Sequence, residues 1–172
     1  MSQTPTYWRK VKLRLIEGAI AYADVLAQGS ATGSDSGRDL TTTYSRYTWD
    51  LFEIGTRNIA AIAERDLARQ ESQDTPELIR VKETLVVTAK ALARVEALCN
   101  DPDQARRSIW GEANRRYDDA IEALGPRLLA AMVLRDLPER HRPAPALCDR
   151  LATEAGDDPD CTESPEYDTP RG

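Results

Sequence analysis

The chain of 172 residues holds a single histidine and a single phenylalanine, and its three cysteines neither pair nor cluster. Each shortage removes a class of chemistry. With only His141, set in Arg140-His141-Arg142-Pro143 on an expected loop, any Ser-His-Asp or Cys-His arrangement must run through that one side chain. A zinc site would need His141, Cys148 and Cys161 plus an acid, at a spacing that fits none of the usual structural sites. Cys99, Cys148 and Cys161 are odd in number and include no Cys-x-x-Cys pair, so a disulfide framework is not indicated. Reduced thiols in a cytoplasmic protein are expected instead. Glu-x-x-His repeats, which paired-metal helical bundles use, are absent.

Long apolar runs are also missing. No stretch approaches the roughly 20 residues of a membrane span, and the N-terminal segment places Arg9, Lys10, Lys12 and Arg14 inside an amphipathic pattern rather than before an apolar signal core. The glycine-bearing stretch from Gly29 to Gly37 lacks the Gly-Lys-Ser/Thr of a phosphate-binding loop and follows no strand. It reads as a linker, with Arg38 just after it as the one side chain placed to meet a phosphate. The formal charge of -6 argues against a protein that grips a polyanion over a broad surface. Part of that acidity is local: Glu154, Asp157, Asp158, Asp160, Glu163, Glu166 and Asp168 stand against a lone Arg171. Arginine far outnumbers lysine and alanine is abundant, a usage expected of a GC-rich coding genome such as that of an actinobacterium or its phage.

What is present is helical periodicity. Trp8, Val11, Leu15, Ala19, Tyr22 and Leu26 recur at three- and four-residue intervals and predict a first helix over 7–27, with Pro5 suited to its first turn. Residues 28–43 carry no apolar period and predict a long flexible loop. A second helix is expected from a cap at Thr42 or Thr43 to about Glu71, with Tyr44, Tyr47, Leu51, Ile54, Ala61 and Ala68 on one face, Phe52, Ile59 and Ile62 widening it, and Gly55 as its one weak point. Thr75 as cap and Pro76 at the first position open a third helix. Its residues Leu78, Val81, Leu85, Thr88, Leu92, Val95 and Cys99 alternate steps of three and four, the seam of a bundle helix, flanked by Ile79, Val86, Ala89 and Ala93. Asp101, Pro102 and Gln104 form a helix start for a fourth helix reaching Leu124, with Ile109, Ala113, Tyr117, Ala120, Ile121 and Leu124 as its buried stripe and Trp110 at one edge. Gly125-Pro126 breaks the pattern, and a short fifth helix runs from Pro126 to Leu137. The expected architecture is an all-α, four- to five-helix bundle over 1–137. A proline-bearing acidic tail over 138–172 buries too little apolar surface to order itself.

Three functional readings follow. The first is a non-enzymatic interaction or assembly protein, self-associating or docking a protein partner through Tyr44, Tyr47, Trp49 and Phe52 and through the seam residues Leu78, Val81, Leu85, Leu92 and Val95. Aromatic residues are the usual anchors of interfaces. The second is a nucleic-acid-associated helical protein that uses the basic residues Arg9, Lys10, Lys12, Arg106, Arg107, Arg115 and Arg116; no DNA-binding motif accompanies them. The third is a small magnesium-dependent phosphohydrolase built on Glu112, Asp118, Asp119 and Glu122, against which Arg115 and Arg116 argue as salt-bridging neighbours on the same helix. The first reading is preferred, with no catalytic residue, metal or cofactor expected.

Overall fold

A computed structural model describes residues 5–29, 36–69, 74–98 and 104–142. Six α-helices follow one another: α1 (Pro5–Gly29), α2 (Ser36–Ile54), α3 (Thr56–Arg69), α4 (Pro76–Leu98), α5 (Gln104–Leu124) and α6 (Pro126–Asp136), with a 3-10 turn over Glu139–His141. No strand occurs among the described residues. The all-helical class expected from periodicity is therefore what the chain forms. The count of helices differs, because the single helix expected over 42–71 is two.

Gly55 makes that break. Its φ of 79° is a left-handed conformation that side chains disfavour. Its N–H donates to the Leu51 carbonyl at 3.1 Å, closing α2 as a left-handed cap. Its own carbonyl accepts from the N–H groups of Asn58 and Ile59, both at 3.1 Å, so the same residue opens α3. Gly125, with φ of 76°, separates α5 from α6 in the same way, and Pro126 stands at the first position of α6. The Gly-Pro signal at 125–126 was read as a break because proline restricts the residue before it; Gly55, without a proline, carried no such mark.

Other boundaries shift for related reasons. Much of the loop expected over 28–43 is helix, since α1 continues to Gly29 and α2 begins at Ser36; Thr42 and Thr43 lie inside α2, and the Thr43 hydroxyl donates back to the Asp39 carbonyl at 2.7 Å. At the start of α4 the Thr75 hydroxyl accepts from the Leu78 N–H at 3.3 Å, the cap that the sequence indicated. The cap expected at Asp101 and Pro102, Cys99, and the tail beyond 142 lie outside the described residues.

Packing follows the apolar stripes. The α1 helix packs on α2 and α6, α4 packs on α3 and α5, and α6 touches both α3 and α5, which closes the arrangement around one core. Leu15, Ile16 and Ala19 of α1, Ile59 and Ile62 of α3, Leu85, Ala89 and Leu92 of α4, and Leu129, Met132 and Val133 of α6 are buried there. At about 1.5–3 kcal/mol for each fully buried large side chain, this core is the principal stabilising element. Some expected core positions are not in it: Ile109 and Leu26 are exposed, Trp110 lies at the surface, and Leu78, Val81 and Val95 of the seam are only half-buried. The seam is offset because Lys82, unexpectedly, takes a core position beside Leu85. Among the described residues no helix is long and apolar enough to cross a membrane.

Candidate binding groove

Because Gly55 turns the chain, α2 lies on α1 while α3 lies on α4, and α2 and α5 have no extensive mutual packing. The space between them is a groove of about 1020 Å³. One wall is α2, through Tyr44, Tyr47, Thr48, Leu51 and Phe52, and Gly55 and Thr56 continue it around the bend. The opposite wall is α5, through Asn114, Tyr117, Asp118, Ile121 and Glu122, with Tyr22 and Leu26 of α1, Leu92 and Glu96 of α4, and Pro126 completing the lining.

The walls are aromatic because α2 presents Tyr44 and Tyr47 one turn apart toward α1, where Tyr22 meets both. The rings of Tyr22 and Tyr47 stack with centroids 5.4 Å apart, and Tyr44 tilts against Tyr22 at 5.4 Å. Tyr47 and Tyr117 are buried within this cluster. Burial pushes the ionisation of both hydroxyls upward; for Tyr47 the neighbouring tyrosines add to it, and for Tyr117 the charges of Asp118 and Glu96 do. The Tyr47 hydroxyl is shut off from solvent and has no hydrogen-bond partner, a condition rare for a buried polar group and costly at about 1–3 kcal/mol. At the lip, Phe52 is 78% exposed and Trp49, in contact with it at 5.9 Å between centroids, is 66% exposed.

The charged members of the lining are all acidic. Glu96 accepts from the Thr56 hydroxyl at 2.8 Å, and Asp118 accepts from the Asn114 amide at 2.8 Å. Among the described residues neither they nor Glu122 form a salt bridge, and no lysine, arginine or histidine lines the groove. Partial burial and then the nearby Asp119 charge push the Asp118 carboxyl above its ordinary value.

A second polar constellation lies where α3 and α6 end, and periodicity gave no hint of it. Lys82 is 1% exposed, and its ammonium donates to Asp66 at 2.7 Å and also to Asp74. Arg135 grips the same Asp66 through two bonds, 2.7 and 2.9 Å. Beside it Asp136 accepts from Lys12 at 2.6 Å and from Arg65 at 2.7 and 3.1 Å. Burial raises both carboxyls, but the hydrogen bonds and charges of their cations outweigh it and hold them below the ordinary range. These pairs join α1, α3, α4 and α6. Alternation of apolar residues cannot reveal such a cluster, because a buried lysine looks, in sequence, like one on a solvated face.

The residues expected to matter are therefore dispersed. Of the partner-binding candidates, Tyr44, Tyr47, Phe52 and Leu92 line the groove and Trp49 stands beside it, whereas Leu85 is sealed in the core and Leu78, Val81 and Val95 lie half-buried along α4. Tyr47 and Leu92 are themselves buried, so they form the groove's wall rather than an exposed face. Of the nucleic-acid candidates, Lys12 is taken by Asp136, Arg115 and Arg116 share Glu112 at 2.5 and 2.9 Å, Arg9 and Lys10 are exposed on α1, and the side chains of Arg106 and Arg107 lie outside the described residues. The magnesium candidate Glu112 is thus occupied by arginines, and no three His, Cys, Asp or Glu side chains among the described residues gather to hold a metal ion. Sequence reasoning missed Tyr22, Tyr117 and Glu96 as parts of a site. Tyr22 and Tyr117 were assigned to core stripes, and only the bend at Gly55 shows that those stripes border a cleft. No family model, curated protein or solved structure matches the chain.

Proposed function

We propose that this protein is a non-enzymatic docking protein whose α2–α5 groove holds two turns of a partner's helix. The observation that carries the reading is the groove itself: an aromatic cleft of about 1020 Å³ with Phe52 and Trp49 standing out at its lip. The length of its walls supports a short helical occupant. Tyr44 to Phe52 on one wall and Asn114 to Glu122 on the other each cover nine residues, eight helical rises or about 12 Å. Helix-in-groove recognition places apolar side chains at i, i+3, i+4 and i+7 into such a cleft.

The nucleic-acid reading has less support, because Lys12, Arg115 and Arg116 are held by carboxylates of this chain and the charged residues lining the groove are acidic. The test fills the groove. Thr48 lines it without belonging to the buried core, so Thr48→Trp inserts an indole between the walls. Helical peptides enriched from a displayed library on the wild-type protein are expected to bind Thr48→Trp at least about tenfold more weakly, a loss of about 1.4 kcal/mol. Equal affinity for the two proteins, or enrichment of no helical sequence, would overturn the reading.

A further inference from the structure

We infer that the groove is built for a cationic helix, one whose apolar face meets the tyrosines while its lysine or arginine side chains reach Glu96, Asp118 and Glu122. This rests on the docking reading above and adds the chemistry of the partner.

Charge complementarity is the first support. Three carboxylates border a low-dielectric aromatic surface, and among the described residues they form no salt bridge and no basic side chain lines the groove. Elsewhere in the fold, Asp66 is held by two cations and Asp136 by three. The second support is independent of charge. Tyr47 is 4% exposed, lines the groove, and carries a hydroxyl that is closed to solvent and has no hydrogen-bond partner among the described residues, so a side chain that displaces part of the wall gains a polar atom to bond. A lysine or arginine N–H is a donor of the kind that a phenolic oxygen accepts. The third is the rings themselves, whose faces attract an ammonium or guanidinium within about 6 Å, more so where water is excluded. The acidic segment of this chain from Glu154 to Asp168 is a poor occupant for the same reason, since its charge repels the rim.

The probes are peptides enriched on the wild-type protein from a displayed library of helical sequences, each made in its selected form and with its basic residues replaced by glutamine. The receptor is compared with Glu96→Gln/Asp118→Asn/Glu122→Gln, which keeps the shape and hydrogen-bonding capacity of the rim. Enrichment of lysine or arginine beside the apolar positions is expected, with affinity falling about tenfold or more on neutralising either side, and falling again as salt rises. A double-mutant comparison then shows that the two losses are not additive. If glutamine-substituted peptides bind as tightly as the originals, and the neutral-rim protein binds both equally, the charge inference is overturned while the docking reading stands. If the selected peptides also ignore Thr48→Trp, both fail together. Selection of peptides rich in aspartate and glutamate overturns the charge inference outright.

Discussion

Two regions of this molecule treat charge in opposite ways. Where α3 and α6 end, Asp66 and Asp136 are gripped by Lys82, Arg135, Lys12 and Arg65 at 2.6 to 3.1 Å, and the carboxyls are held below their ordinary range. In the α2–α5 groove, Glu96 and Asp118 accept hydrogen bonds, among the described residues, only from the neutral groups of Thr56 and Asn114, and Asp118 is pushed upward instead. A buried ion pair contributes little net stability, but removing one partner leaves the other charge buried and uncompensated. The first region is therefore closed as part of the fold. The groove, with a Tyr47 hydroxyl unpartnered among the described residues and an exposed Phe52, is not closed in this way.

The sharpest way to break this contrast is to unpair the closed region. Asp66→Ala leaves the Lys82 ammonium buried with Asp74 alone and frees Arg135 from its bidentate partner. A loss of about 3–5 kcal/mol is expected in urea denaturation, within the range for breaking a buried pair. Removal of a groove carboxylate has no comparable consequence. A loss below about 1 kcal/mol for Asp66→Ala would show that the two regions do not differ in the way described.

The next effect concerns the bend that separates the regions. At Gly55 a Cβ meets nothing within 4 Å, so Gly55→Ala tests the backbone alone. With φ at 79°, alanine there costs about 1–2 kcal/mol. Part of the response is a straighter connection between α2 and α3, with weaker binding of groove peptides. Gly125→Ala, also at positive φ with open space around it, is the control: a similar loss of stability is expected, with peptide binding retained.

How much of this was legible in the sequence depends on which physical signal each feature leaves. The α1, α4 and α6 helices, and the body of α5, were read because Leu15, Leu85, Leu92, Tyr117 and Leu129 recur at helical spacing and the ends at Pro76 and Pro126 carry caps or breakers. The single helix expected over 42–71 failed because an isolated glycine is ambiguous: mid-helix it costs only about 1 kcal/mol, so periodicity on both sides outvotes it. That one residue hid the groove. The aromatic run at Tyr44 to Phe52 is legible in the sequence, yet the wall opposite it is not, since nothing in a one-dimensional pattern pairs Tyr22 with Tyr47 or Phe52 with a cleft bordered by α5. Lys82 was unreadable for a different reason. A lysine is placed in a core only when acids from distant turns, here Asp66 and Asp74, arrive to meet it, and that is information about tertiary contact.

The smallest expected effect is also the one that compares the regions through a single variable, pH. Asp66 and Asp136 have folded values below the ordinary 3.8, so around that pH the unfolded chain binds more protons than the folded one. Their contribution is present above that value and is lost as pH falls through the depressed folded values, so urea stability declines as pH drops from about 5 toward 2. Asp118 has the opposite sign. Its folded value lies above 3.8, so the folded state holds the proton more tightly, and stability is lost as pH rises through the interval between the unfolded and folded values. Asp118→Asn removes that cost and also keeps an acceptor for Asn114. At pH 7 the variant is expected to be more stable than the wild type by no more than about 0.5 kcal/mol, because the group is exposed and screened. At pH 3, where the wild-type carboxyl is already protonated, the gain disappears. Bound cationic peptide reverses the preference: it draws the Asp118 carboxyl downward, so the same Asn variant becomes the less stable of the two once the groove is filled. An Asn variant that gains equally at pH 3 and pH 7, with peptide and without, would mean that Asp118 is an ordinary surface acid and that the groove's charge is incidental.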